Sequence, residues 1–460
     1  MIKKLMVFSL VILSSMFFLV TAVQSEELSL KESIEIAREN DLELKILDYD
    51  KKIASSEIDK AEAGLKPDVS LNHSYTRQKE QETPDSSEME ALLQALAEEQ
   101  GLEGDVEFDL TEYMPAELYS PEIFSTELGV EYPLYTGGRL KTGVEIAQKS
   151  RDINEIEYRK KEISLGREVT EAYFQVLKAQ NLRDLNNDFL QQADEFLELT
   201  KDQKEAGVVT DSDILQAESE KAGIKRKLKQ AESRLEIAKR NFRHVLGLPL
   251  QFEVELQEIE SELQEPSLNQ AEAYKMAEEN NPDLELMVEN REIKGHNISM
   301  AQAEEKPQVF ISGNYSWQGE DWGFDNGRWS ITGGLSYNIF DGGRTKAEIK
   351  SAETEYEKAE TRQQEVKDSI ELGIDQVLLQ LEEIYDSISY METQKKAAQD
   401  NLELTTTRYE GGLVTALEVT SAQTELRQIE TELIQQKYDY YIQKAQLGEL
   451  LGYEDPRSFF

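Results

Sequence analysis

The sequence has no cysteine and only three histidines, His73, His244 and His296. The lack of cysteine excludes disulfides, thiolate metal sites, cysteine nucleophiles and an N-terminal lipid-modified cysteine. The histidines are scattered, so a histidine-based metal site or catalytic triad is not expected. No nucleophile–base pair, metal cluster or cofactor loop stands out elsewhere. The composition therefore predicts a protein that needs no cofactor and no metal and is not an enzyme.

Positive charge is also scarce. The chain carries 92 Asp and Glu residues against 50 Lys and Arg residues, which gives a net charge of -42. A surface of that sign repels nucleic acid, so nucleic acid is excluded as a partner. Two explanations of the acidity stay open. One is the solvated face of long helices, which we favour, and the other is a lumen that attracts cations.

Long apolar runs are missing except at the N-terminus. Lys3 and Lys4 precede an apolar run over residues 5–20, and the small residues Ala22 and Ser25 follow it. This order predicts a secretory signal peptide over 1–25, cleaved after Ser25. An uncleaved anchor is the alternative, but the run is short beside the roughly 20 residues of a membrane helix. Any entry of the mature chain into a membrane must then use strands.

The chain contains an internal duplication. Residues 132–139 (YPLYTGGR) resemble 337–344 (YNIFDGGR), and 207–210 (GVVT) resemble 412–415 (GLVT), both at an offset of 205 residues. Pro67 and Tyr75 match Pro307 and Tyr315 at an offset of 240, so the first half holds 35 extra residues. We predict a first structural repeat over 26–266, with a strand hairpin near 68–135, an external loop at 77–123 and a helical hairpin near 139–247. The second repeat is predicted over 267–460, with hairpins near 308–340 and 344–452.

Both halves contain segments of alternating polarity with the length of a tilted membrane strand. Residues 308–317 and 329–339 alternate between large apolar and small polar side chains, and 69–76 and 124–134 do the same. A soluble sandwich is the alternative. We favour the membrane because only four strands are present, their polar faces are expected to carry Ser, Thr and Asn rather than charge, and aromatic residues gather at strand ends. The predicted interface aromatics are Tyr75, Tyr132, Tyr315, Trp317, Trp329 and Tyr337. Four strands cannot close a barrel, which predicts an oligomer.

Long uninterrupted helices follow each strand hairpin. Proline-free segments at 142–206 and 345–410 have apolar residues spaced by three and four, and each predicts a helix of about 95 Å. Gly207 and Gly412 are predicted to end these helices. Thr210 with Asp213, and Thr415 with Glu418, are predicted capping boxes that start the return helices. The strand-to-helix turns are predicted at Gly137, Gly138 and Arg139 and at Gly342, Gly343 and Arg344.

With these motifs in the same order twice, the chain resembles the TolC-like outer-membrane efflux family. The matching segments are the turns 135–139 and 340–344 and the tips 207–213 and 408–418. The resemblance implies a mainly α fold with a small membrane β part. Long antiparallel helical hairpins would form a tube, and four strands per chain would join a shared oligomeric β-barrel of a homotrimer. It places the protein in the cell outer membrane, in contact with its lipid and spanning into the periplasm.

The resemblance also implies partners and site residues. The channel would passively conduct substrates delivered by an inner-membrane efflux or secretion transporter through a periplasmic adaptor (membrane fusion) protein. Asp213 and Glu418 match the acidic periplasmic constriction, although Ser421 stands where some members carry a second Asp. The cargo, whether drug, metal ion or secreted protein, stays open. The implied adaptor-contact tips are Gly207, Val208, Val209, Thr210, Gly412, Leu413, Val414 and Thr415.

Three other classes of protein are less compatible with the sequence. A coiled-coil surface protein would lack the alternating strands, and an adaptor would carry one helical hairpin rather than two. An enzyme would need the catalytic groups that the chain lacks.

Overall fold

The computed structural model describes residues 27–77, 91, 95–96, 122–258, 263–319 and 327–453. The predicted signal peptide, and most of the predicted loop at 77–123 with its helix-like run at 89–98, lie outside these residues. The described part contains eight helices and one four-stranded sheet, which confirms the mainly α fold with a small β part. The elements in chain order are α1 (Leu30–Asn40), α2 (Leu42–Ala63), β1 (Asp68–Arg77), β2 (Glu122–Thr136), α3 (Arg139–Glu205), α4 (Asp211–Val245), α5 (Gln270–Asn280), α6 (Pro282–Ala303), β3 (Gln308–Gly319), β4 (Arg328–Ser336), α7 (Arg344–Glu410) and α8 (Ala416–Leu450).

The internal repeat is confirmed in the lengths of the long helices. Helices α3 and α7 each have 67 residues, and α4 and α8 each have 35. The offset of 205 residues holds at both ends of each pair. Both long helices begin slightly earlier than predicted, directly after the Gly-Gly turns. The last strand is shorter than predicted: β4 ends at Ser336, whereas the predicted strand runs to residue 339.

The two strand hairpins join into a single antiparallel sheet of order β1-β2-β3-β4. Leu128 of β2 pairs with Tyr315 of β3, which pairs in turn with Trp329 of β4. This register places most of the large apolar side chains of the four strands on one face, since side chains alternate along a strand, while Phe310 lies on the opposite face across from Gly334. The expectation of an uncharged opposite face is wrong. Glu127 and Glu131 lie there, and Glu127 accepts a hydrogen bond from Asn314 Nδ2 at 2.6 Å.

The predicted loop is shorter than expected at both ends. Arg77 and Glu122 lie in paired positions of β1 and β2, and their side chains form an ion pair at 3.6 Å. Residues 77, 122 and 123 therefore belong to the sheet. Separately, none of the described helices combines the length and apolar character needed to cross a bilayer.

The chain divides into two compact units. The first takes its described residues from 1–51, 152–289 and 360–460, and the second from 52–151 and 290–359. The core of the first unit is aromatic. Phe174 stacks on Tyr441 with ring centroids 4.9 Å apart, and Tyr173 is fully buried. The Tyr173 hydroxyl lies 3.0 Å from the carbonyl oxygen of Leu28 and 2.5 Å from that of Gln257. Burial raises the pKa of this phenol, so it stays neutral and available as a donor.

The second unit combines the sheet with parts of four helices. Polar side-chain contacts connect its helices: Lys149 Nζ lies 2.6 Å from Glu292, and His296 Nδ1 lies 3.3 Å from Glu145. Lys294 reaches Glu355 at 3.6 Å. These pairs bring α3 and α7 to α6 within this unit.

Candidate functional site

The hairpin tips between α3 and α4 and between α7 and α8 are built alike. Gly207 has φ +78° and Gly412 has φ +70°, in the left-handed region where glycine is unstrained. The N–H groups of Gly207 and Val208 donate to the carbonyls of Lys204 and Gln203 at 2.8 and 2.9 Å. Gly412 and its successor repeat this pattern at the end of α7. Each turn therefore satisfies carbonyls that the helix end leaves unpaired.

A carboxylate closes each tip. Asp213 accepts hydrogen bonds from the Thr210 hydroxyl at 2.7 Å and from the Thr210 N–H at 2.8 Å. Glu418 accepts the same two bonds from Thr415, both at 3.2 Å. The bonds from Thr210 lower the pKa of Asp213. Both carboxylates therefore take part in helix capping, whatever further role they have.

The apolar residues within each Gly-x-x-Thr tip differ in exposure. Val208 is 54% exposed and Leu413 is 79% exposed. Val209 and Val414 instead pack against a small core around Phe196, Tyr409 and Val419. Sequence reasoning treated all four as one contact surface, because neighbouring valines and leucines give no local signal of which side is covered. It also missed Leu215 and Leu417, two further exposed apolar residues on the return helices.

The two tips touch each other within the chain. The Tyr409 hydroxyl donates to Thr200 Oγ1 at 3.3 Å, and its ring lies 5.4 Å from that of Phe196. Gln203 Nε2 donates to the carbonyl of Glu410 at 3.2 Å. Both tips therefore belong to one surface of the first unit.

A partly buried ion pair behind the tips also escaped the sequence analysis. Arg427 of α8 pairs with Glu220 of α4 and donates to Thr424 Oγ1 at 2.8 Å. Its guanidinium lies 6.0 Å from the centroid of the Phe189 ring. Burial lowers the pKa of Arg427, and Glu220 opposes that shift. The pair connects the two return helices.

The strand-to-helix turns lie in the second unit. Gly137, Gly138, Gly342 and Gly343 all have positive φ, between +67° and +99°. Each turn is capped by the residue before the glycines, but the capping residues differ. Thr136 Oγ1 accepts from the N–H of Leu140 at 3.3 Å, whereas a carboxylate, Asp341, occupies the other turn. Arg139 and Arg344 are exposed at the helix starts.

Gly137 and Gly342 form a matched pair for testing backbone strain. Their φ values are close, +67° and +74°, but a Cβ on Gly137 would lie 2.6 Å from the Ala303 carbonyl oxygen, while one on Gly342 would meet nothing within 4 Å. Positive φ alone costs about 1 to 2 kcal/mol. We expect Gly137→Ala to lower the thermal midpoint more than Gly342→Ala does. Equal shifts in circular dichroism melts would contradict the close approach at Gly137.

Asp341 predicts an acid-sensitive helix start. It accepts from the Thr345 hydroxyl at 2.6 Å, from the Thr345 N–H at 2.8 Å and from the Gly343 N–H at 2.9 Å. These bonds lower its pKa to about 2. A lowered folded pKa means that the stabilisation is complete above the unfolded value of about 4 and disappears as pH falls toward 2. We expect hydrogen exchange in the first turn of α7 to rise in that window relative to α3, whose Thr136 cap does not titrate. Parallel behaviour of both helices would refute this.

Among the described residues, no group of three or more His, Asp or Glu side chains is placed to hold a metal ion. The features that could serve a function are surfaces: the apolar face of the sheet, the long helical hairpins and the surface formed by the two tips.

The sequence matches the Outer membrane efflux protein family over residues 33–248 and 273–453, so the chain belongs to that family and is an outer-membrane protein that extends into the periplasm. No curated protein matches the sequence.

Solved structures share the fold at low sequence identity. CusC is 18% identical with a TM-score of 0.76, and the match covers 92% of each chain. VceC of Vibrio cholerae is 18% identical with a TM-score of 0.75, covering 92% of this chain and 96% of its own. MtrE of Neisseria gonorrhoeae, solved in an open state, is 18% identical with a TM-score of 0.73, covering 95% and 94%.

Proposed function

We propose that this chain is one subunit of a homotrimeric channel that passively conducts substrates from an inner-membrane transporter, through a periplasmic adaptor, to the cell exterior. The observation that carries this proposal is the sheet. Its edge strands β1 and β4 each pair on one side only within the described residues, and its apolar face is exposed. Unpaired edges are not tolerated in lipid, so the sheet needs copies of itself to close.

The aromatic residues support a membrane position for this sheet. Tyr75, Tyr315, Trp317 and Trp329 lie toward the hairpin-loop end, while Tyr132 lies toward the helix end and Tyr337 just beyond it. The Tyr75 partner on β2, Phe124, is eight residues from Tyr132, roughly 26 Å along the strand. At the usual strand tilt of about 40° this length projects to roughly 20 Å along the membrane normal, which falls within an apolar band about 25 Å tall between two interfacial belts.

The tip surface is proposed as the adaptor contact. Val208 and Leu413 are its exposed apolar members, and interfaces of this kind bury such side chains. The half-buried Val209 and Val414 would shape the surface from beneath rather than touch the adaptor. Asp213 and Glu418 lie at the same end, and we propose that their three copies form the acidic periplasmic constriction. Efflux of small molecules and export of secreted proteins both fit this arrangement.

Purified protein tests the channel itself. In detergent, native mass spectrometry is expected to report three chains, and planar lipid bilayers are expected to show discrete conductance steps. A single-chain particle without conductance would refute the proposal.

Charged substitutions test the adaptor contact. Cells expressing Val208→Asp with Leu413→Asp are expected to accumulate ethidium to the level of a strain lacking the protein, provided the wild type lowers accumulation. Trimer mass should be unchanged, because neither side chain lies in the described core. Leu250→Asp, an equally exposed apolar position outside the tips, is the control and should export normally. Normal export by the tip variant would remove the tips from the adaptor contact.

A further inference from the structure

The contact between the two helical hairpins of one chain indicates, through the internal repeat, how the hairpins of two neighbouring chains can pack. Hairpin 1 (α3 and α4) packs on hairpin 2 (α7 and α8) through α3 and α8. Phe174 stacks on Tyr441, Lys178 Nζ lies 2.8 Å from Asp439 Oδ1, and Asn181 Nδ2 donates to the Tyr438 hydroxyl at 2.8 Å. Since the helices of the two hairpins have equal lengths in one register, each residue in this contact has an equivalent 205 positions away.

The equivalent positions form two exposed faces. On α7, the equivalent of the fully buried Phe174 is Leu379, which is 66% exposed. On α4, the equivalent of Ile442, which packs against the core, is Ile237, which is 59% exposed. Leu379 and Ile237 are therefore exposed, whereas the equivalent side chains of the intrachain contact, Phe174 and Ile442, are packed against the core.

The charges of these faces are complementary. The equivalent of Lys178 is Glu383, and the equivalent of Asp439 is Arg234. Each position therefore carries the reverse charge in the other repeat, and the two residues of the equivalent pair again have opposite charges. Both side chains are exposed, and neither forms an ion pair within the described residues. The charges of the residues around Arg234 and Glu383 follow the same pattern. Residues 221–244 of α4 hold nine Lys and Arg against two Glu, in a chain of net charge -42, while 368–392 of α7 hold seven Asp and Glu and no Lys or Arg.

We propose that, in the trimer, the α7 face of one copy docks on the α4 face of the next, with Glu383 paired to Arg234 of the neighbouring copy. This rests on the proposed trimeric channel. The contact is heterologous, because two different faces meet, and a ring of three copies leaves neither face uncovered. The six hairpins of the trimer would then alternate between two similar interfaces, the α3–α8 contact within a chain and the α7–α4 contact between chains. The opposite charges fix the register and keep like faces apart. The Arg427–Glu220 pair is not repeated, because its equivalents are Ala222 and Glu425.

The cysteine-free chain allows a direct test. In the full-length protein, Arg234→Cys with Glu383→Cys is treated with a short bismaleimide in isolated outer membranes. We expect covalent species of two and three chains on a denaturing gel. Either single variant alone should stay at one chain, and the two single variants expressed together should give two chains and no more. Lys178→Cys with Asp439→Cys is the matched control, which should link within one chain.

Native mass spectrometry of the same samples separates the outcomes. Three-chain particles without links between chains would overturn this interface while leaving the channel proposal standing. Single-chain particles would overturn both. Charge reversal gives a second measure, since Arg234→Glu or Glu383→Arg alone should reduce the trimer at low protein concentration. The double variant should restore it, and failure to restore would overturn the Glu383–Arg234 pairing.

Discussion

Phe174→Ala is expected to lower the free energy of unfolding by about 4 kcal/mol, the size typical of a fully buried phenylalanine. Phe174 has no exposed surface, stacks on Tyr441 at 4.9 Å and lies edge-on to Tyr173 at 5.9 Å. The substitution removes these contacts and leaves a cavity at the contact between α3 and α8 that the long helices cannot close. The measurement is the midpoint of urea unfolding, followed by circular dichroism of the detergent-solubilised protein.

Leu379→Ala is the matched control for Phe174→Ala. It removes a large apolar side chain from the equivalent position of the other repeat, where the side chain is mostly exposed within one chain. Under conditions where the protein is dissociated into single chains, its effect should be well below 1 kcal/mol. In the trimer it should weaken association instead. Equal losses in dissociated chains would show that the two repeats are packed alike, contrary to the structure.

Glu220→Ala is expected to destabilise the tips by about 2 kcal/mol. It leaves the Arg427 guanidinium buried without its counter-charge, and one Arg427 nitrogen, Nε, already lacks a hydrogen-bond partner. Breaking a fully buried pair costs about 3 to 5 kcal/mol. The expected value is smaller because the Glu220 side chain is a third exposed, so water screens the charge. Hydrogen exchange in the last turns of α3 and α7 is the measurement.

Arg427→Met provides the comparison. It removes the buried charge together with its need for a partner, and the thioether chain fills similar volume beside Phe189. Its effect on exchange should be clearly smaller than that of Glu220→Ala. If Arg427→Met proves the more damaging change, the contribution of Arg427 comes from its packing and its bond to Thr424 rather than from the ion pair.

The features that could be predicted from the sequence depend on residues close together in the chain. Gly207 and Gly412 end helices because a left-handed residue is needed there, and Asp213 and Glu418 cap because they stand three residues after a threonine. The strands follow from period-two alternation, and the repeat follows from one constant offset. Alternation also assigns Glu127 and Glu131 to the polar face of β2, so the charge on that face is likewise encoded locally in the sequence.

The sequence by itself therefore determined the class of fold, the repeat, the turns and the family, since each is written in local residue patterns or in their repetition. The tertiary structure alone decided which equivalent residues are buried. Phe174 and Leu379 carry the same helical signal, yet one is enclosed by α8 and the other is exposed. Val208 and Val209 differ in the same way, and Arg427 meets Glu220 from 207 residues away. Burial depends on which distant segment packs against a residue, and that is settled only when whole helices come together.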